Sequence, residues 1–196
     1  ALDHSILWWE KTVEYFFIQK YVDLHMFVAP LDGNHEKAGD AIFSHESKWV
    51  LIEFKRNESS IEDEIQKFTN FAQAKASLES KGKHHLIIYG ESTENEFSLS
   101  CQEYFSGTKV EIELALSSGV EKNDFILYLR NFVSFKKNSE SGAGGYGFVA
   151  GVSNDGKVTK CMSLSEFAEA LNLEAALVKR LQKTQEQSYS GPGHSM

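Results

Sequence analysis

Cysteine is scarce: Cys101 and Cys161 are the only two in 196 residues, far apart and without ligand-like spacing. That excludes a disulfide framework and a thiolate metal site, and predicts reduced core or near-surface thiols in a cytoplasmic protein. No apolar run approaches the roughly 18 residues of a membrane span. Ala1 to Glu10 lacks the basic-then-apolar layout of a signal peptide. Positive charge is in deficit, with 20 Lys+Arg against 28 Asp+Glu and a net charge of -8. That counts against a protein binding nucleic acid over its whole surface, because phosphate contacts need cations. It does not count against a protein with its basic residues on one face. A phosphate-cradling loop is missing too: Gly142-Ala143-Gly144-Gly145-Tyr146-Gly147 has no P-loop lysine and opens no helix. The seven histidines show no ligand spacing. His25, His35 and His45 lie ten apart, and the neighbours His84 and His85 cannot point both rings to one strand face. They read as exposed or core histidines.

The composition is that of a globular protein, with 41% hydrophobic and 24% charged residues. The length fits one domain with a small appendage. Residues 3–20 predict an amphipathic helix, with Ile6, Leu7, Val13, Phe16, Phe17, Ile18 and Tyr21 on one arc. Strands are expected at Tyr21–Pro30, Asp40–Phe43 and Lys48–Lys55. A helix capped by Ser60 should run to about Lys81, with Ile61, Ile65, Phe68 and Ala72 on its buried face, and a strand should follow at His84–Tyr89. The order to this point is α-β-β-β-α-β. Further strands are expected at Glu96–Ser100 and Lys109–Leu116, and a helix from about Asn123 to Lys136. A Gly/Ser-rich linker (139–147) separates this core (1–138) from an appendage (148–186) with a hairpin at Asn154-Asp155-Gly156 and two short helices; 187–196 should be a disordered tail.

The chemistry concentrates at one hairpin. Glu53 and Lys55 are two apart on a strand that otherwise looks buried, so their side chains share a face. A turn centred between His45 and Glu46 would pair Phe43 with Lys48, Ile42 with Trp49 and Asp40 with Leu51. Asp40 would then share a face with Glu53 as a diagonal neighbour, about 7–8 Å away. Two carboxylates so placed can hold Mg²⁺ or Mn²⁺, and a nearby lysine can act on a metal-bound water.

Gly39-Asp40, twelve residues, then Glu53-Phe54-Lys55 resembles the signature of the PD-(D/E)xK nucleases, with Gly39 in place of the motif's Pro. The resemblance spans about residues 1–90. It implies an α/β, restriction-endonuclease-like core, with a mixed sheet of about four to six strands flanked by helices. It implies an Mg²⁺- or Mn²⁺-dependent phosphodiester hydrolase acting on nucleic acid, most readily DNA. Metal ligation falls to Asp40 and Glu53 and catalysis to Lys55. Members of this group also bring an acidic residue from the first helix to the metal, a role that Glu10 matches and for which Glu14 is the reserve. Gln66 resembles the glutamine that RecB-like members set beside the site, though Asn70 stands where their aromatic would be. Lys67 is a possible phosphate contact.

Ser163 to Lys183 resembles a helix-turn-helix, with Asn172 at the turn and Glu174–Lys183 as recognition helix. Lys179, Arg180 and Lys183 would be its nucleic-acid contacts. Two other functions compete with the nuclease: a nuclease-like fold serving as a protein-interaction subunit, as partner or homodimer, and a DNA-binding regulator working through the C-terminal helices.

Overall fold

The computed structural model describes residues 6–23, 25, 43, 47–94, 96–137 and 147–172. Within them the chain builds a five-stranded sheet in the order β3-β2-β1-β4-β5. The strands are β1 (Lys48–Lys55), β2 (His85–Ser92), β3 (Phe97–Glu103), β4 (Phe148–Val152) and β5 (Val158–Ser163). β1 and β2 are parallel, and the other neighbours are antiparallel, so the sheet is mixed. The helices are α1 (Glu10–Tyr21), α2 (Phe71–Leu78), α3 (Ile112–Leu116) and α4 (Lys122–Ser134), and a helical stretch at 164–172 follows β5. No helix among the described residues is long and apolar enough to cross a membrane.

β1 is the central strand, and every residue from Trp49 to Lys55 is buried. A strand covered on both faces needs apolar residues at successive positions, and Trp49-Val50-Leu51-Ile52 supplies them. Alternation then sorts the two faces. Val50, Ile52 and Phe54 pack with Val13 and Phe17 of α1. Trp49 and Leu51 face the other way, into the cluster that holds Phe125, Leu129 and Phe132 of α4. Continuing that alternation puts Glu53 and Lys55 on the α4 side.

The crossover from β1 to β2 is not one long helix. Asn57, rather than Ser60, caps a 3₁₀ helix over Glu58–Lys67, its side chain accepting from the Ser60 amide at 3.2 Å. Phe68 is extended and bridges Lys136, and Asn70 then caps α2 by accepting from the Gln73 amide at 3.1 Å. Two side-chain caps within one stretch give the chain two starts. The strand expected at Lys109–Leu116 is also corrected. Only Lys109 bridges a neighbouring strand residue, while Ile112, Ala115 and Leu116 are buried at helical spacing in α3 and Leu114 is exposed.

The largest correction concerns the strand pair around Asp40. Leu51 lies between His85 on one edge and Val149 on the other; Trp49 lies between Gly151 and the bridging Val120. A strand has two hydrogen-bonding edges, so Trp49 and Leu51 have no edge left for the partners expected from the sequence. Phe43 is helical, and its ring packs 5.8 Å from those of Trp49 and Phe167. The place expected for Asp40–Phe43 is filled by β4, so the C-terminal hairpin extends the central sheet instead of standing apart from it. Of the expected strand at Tyr21–Pro30, Val22 makes a parallel bridge to Val158. Asp40, residues 139–146 of the linker, the second helix of the helix-turn-helix and the tail lie outside the described residues, and with them Lys179, Arg180 and Lys183.

Candidate active site

Five charged side chains from three elements meet near the C-terminal end of β1. Glu53 and Lys55 are 8% and 6% exposed, and Glu64 from the 3₁₀ helix is 2% exposed. The Lys55 Nζ lies 2.5 Å from Glu64 Oε1. The Lys67 Nζ lies 2.5 Å from the same oxygen and 3.3 Å from Glu53 Oε1, so one ammonium bridges both carboxylates. The Tyr104 hydroxyl donates to Glu64 Oε2 at 2.7 Å. Lys136, just beyond the end of α4, lies over the rings of Phe132 and Phe68 at 4.5 and 5.3 Å.

The 3₁₀ geometry explains how Glu64 reaches this place. With three residues per turn, side chains at i and i+3 eclipse, so Ile61, Glu64 and Lys67 share one face. Ile61 packs against the core, while Ile65, expected inside on an α-helical count, is 51% exposed. The same rotation leaves Gln66 exposed, away from the face that carries Glu64.

Burial and the neighbouring Glu64 raise the pKa of Glu53 above the usual carboxylate range, against the pull of Lys67, Lys136 and Lys55. Burial opposes ionisation of Glu64 too, but hydrogen bonds from Lys55, Lys67 and Tyr104 outweigh it and hold its pKa down. Glu64 is thus the firmly ionised member of the pair, and Glu53 the one that gains most from an added cation. For Lys67, burial is outweighed by the two carboxylates, and its pKa rises.

Beneath the charges lies an aromatic wall. The His85 ring stacks on Tyr104 with centroids 3.9 Å apart, and its Nδ1 is 2.8 Å from the Tyr128 hydroxyl. His84, one residue before β2, also touches Tyr128. Both histidines are buried core residues.

The two acidic residues of α1 do not join this cluster. Glu10 opens the helix and is exposed, and Glu14 pairs with Lys11 at 2.7 Å. The reason is the face: α1 packs on the side of β1 that carries Val50, Ile52 and Phe54, opposite Glu53 and Lys55. The sequence reading missed Glu64, Tyr104 and Lys136. The signal for Glu64 was its spacing of three from both Ile61 and Lys67; Tyr104 and Lys136 gave none, because only the fold brings them in.

The bridging ammonium of Lys67 marks where a cation meets oxygen atoms of both Glu53 and Glu64, the hard donors that Mg²⁺ and Mn²⁺ prefer. Among the described residues there is no group of three or more His, Cys, Asp or Glu side chains that could hold a metal ion. No family model, no curated protein and no solved structure matches this chain.

Proposed function

We propose that this chain is a divalent-metal-dependent nuclease with a restriction-endonuclease-like core, built on Asp40, Glu53 and Lys55 and completed by Glu64. The observation that carries the reading is the Lys67 ammonium between two buried carboxylates, with Lys55 on the same Glu64 oxygen. Glu53 and Glu64 would hold Mg²⁺ or Mn²⁺, with Asp40 as further ligand. When bound, such an ion polarises a phosphate oxygen and makes its water nucleophilic at neutral pH. Lys55, steadied by Glu64, would orient that water and offset the charge that develops on the phosphate. Lys67 would leave its bridging place as the cation enters. The substrate is a phosphodiester in nucleic acid, most readily DNA.

A second reading, a nuclease-like fold serving as a protein-interaction subunit, draws support from the exposed side chains of Leu7, Trp9 and Tyr15 near the N-terminus. The test is cleavage of supercoiled plasmid with Mn²⁺ by the parent and by Lys55→Met. Nicking or linearisation by the parent, lost in the variant, supports the nuclease. Equal activity in both, or none in the parent, turns the case to the interaction subunit.

A further inference from the structure

Three lysines, Lys55, Lys67 and Lys136, surround the two carboxylates Glu53 and Glu64, so the cluster carries one cation more than its anions neutralise. Two of the lysines are engaged. Lys55 and Lys67 both have a carboxylate oxygen at 2.5 Å. Among the described residues, Lys136 has no carboxylate within ion-pairing distance, and its ammonium is held by the faces of Phe132 and Phe68. Ring faces attract a cation but leave its hydrogen-bond donors unused.

The position of Lys136 is fixed by backbone, not by chance contact. Phe68 and Lys136 form an antiparallel bridge. The Lys137 amide donates to the Lys67 carbonyl at 2.9 Å, and the Thr69 amide donates to the Phe135 carbonyl at 3.1 Å. The end of α4 is thereby sewn to the end of the 3₁₀ helix, which brings Lys136 near enough to Lys67 for the two charges to repel. Exposure then gives the order of depth. The Lys67 side chain is 40% exposed and Lys136 is half-buried; Glu53 lies deeper, and Lys55 and Glu64 are almost closed off. A ligand reaching Glu53 from solvent meets these two ammonium groups first.

We propose that Lys136, with Lys67 beside it, forms a phosphate seat at the mouth of the cluster, taking a backbone phosphate of the nucleic acid next to the one cut. The seat rests on the nuclease reading for its substrate but stands outside the residues that carry that reading. Each carboxylate taken alone repels a phosphate brought close to it, and the third lysine, held ready on aromatic rings and partly stripped of water, is the cation left over to offset that local repulsion. Burial lowers the Lys136 pKa, and an arriving phosphate would raise it again.

The test is fluorescence anisotropy of a short fluorescein-labelled DNA duplex with the full chain in EDTA, between about 50 and 200 mM salt. Parent, Lys136→Gln and Lys136→Arg are compared, with circular dichroism to establish that each is folded. Loss of one phosphate contact should reduce the slope of log affinity against log salt by about one in Lys136→Gln, and Lys136→Arg should restore it. A parent that does not bind the duplex, or a Lys136→Gln slope equal to the parent's, overturns the seat. Should Lys136→Gln be unfolded, Lys136→Met, which keeps the packing on Phe68 and Phe132, takes its place under the same criterion. The nuclease reading fails separately: a duplex bound with the expected slope change but never cut with Mn²⁺ leaves the phosphate seat standing and removes the enzyme.

Discussion

Tyr104 donates its hydroxyl hydrogen to Glu64 Oε2 at 2.7 Å, while the other oxygen of that carboxylate holds Lys55 and Lys67. A strand residue, a crossover residue and a residue at the end of β3 are thus locked through one side chain. Tyr104→Phe keeps the stacking on His85 and removes only the hydrogen bond. Loss of a hydrogen bond to a charged group should cost about 1.5–3 kcal/mol in urea unfolding. A change below about 0.5 kcal/mol would mean that the phenol does not hold Glu64.

Glu64 itself should matter more. Glu64→Ala leaves the Lys55 ammonium buried without its partner, and breaking a buried pair in this way costs about 3–5 kcal/mol. Replacing Lys55 and Glu64 together by Met and Leu should restore much of that loss, because the uncompensated charge goes too. A double variant no more stable than Glu64→Ala would show that the pair is not the source of the effect.

The two core histidines predict acid sensitivity. Burial lowers the His84 pKa to about 4, and it lowers that of His85 well below the ordinary value. In the unfolded chain both take up protons near pH 6.5, about the ordinary value for histidine. The stability that comes from keeping them neutral is therefore complete above about pH 6.5 and is lost as the pH falls from there toward 4. Tm should drop between pH 7.5 and pH 5, and His84→Phe should recover about 2 kcal/mol of the loss at pH 5. An identical drop in parent and variant would place the sensitivity elsewhere.

Gly90 lies in β2, where an added Cβ would sit 2.5 Å from Trp8 Nε1 and 2.7 Å from the Phe97 ring. That indole donates to the Arg56 carbonyl at 2.6 Å, so Gly90→Ala should push Trp8 off the end of β1. Overpacking of this kind costs about 1–3 kcal/mol, and a Trp fluorescence shift in the folded variant should accompany it. Unchanged stability and fluorescence would show that the indole has room to move.

The sequence made the central strand legible, with Glu53 and Lys55 on one of its faces, and not the partners around them. The all-apolar run before Glu53 and the i, i+2 spacing to Lys55 were enough to place both on one buried face, because alternation is a local property. The neighbour of β1 was misread because edge pairing is not local. A turn signal at His45–Glu46 looked like a hairpin, yet β4, about a hundred residues on, takes that edge. Glu10 was misread for a related reason: helix periodicity tells which arc of α1 is apolar but not which face of the sheet it covers. Glu64 was hidden by the choice of an α-helical over a 3₁₀ period, a difference that the Asn57 and Asn70 caps decide.

The central claim, that Glu53 is a metal ligand, is tested most directly by isothermal titration of Mn²⁺ into the full chain, the parent beside Glu53→Gln and Lys55→Met. The charge and donor set predict binding in the parent, at least about tenfold weaker in Glu53→Gln (about 1.4 kcal/mol) and unweakened in Lys55→Met, whose ammonium is no ligand. Glu53→Gln that binds Mn²⁺ as the parent does, or a parent that binds none, would contradict the account.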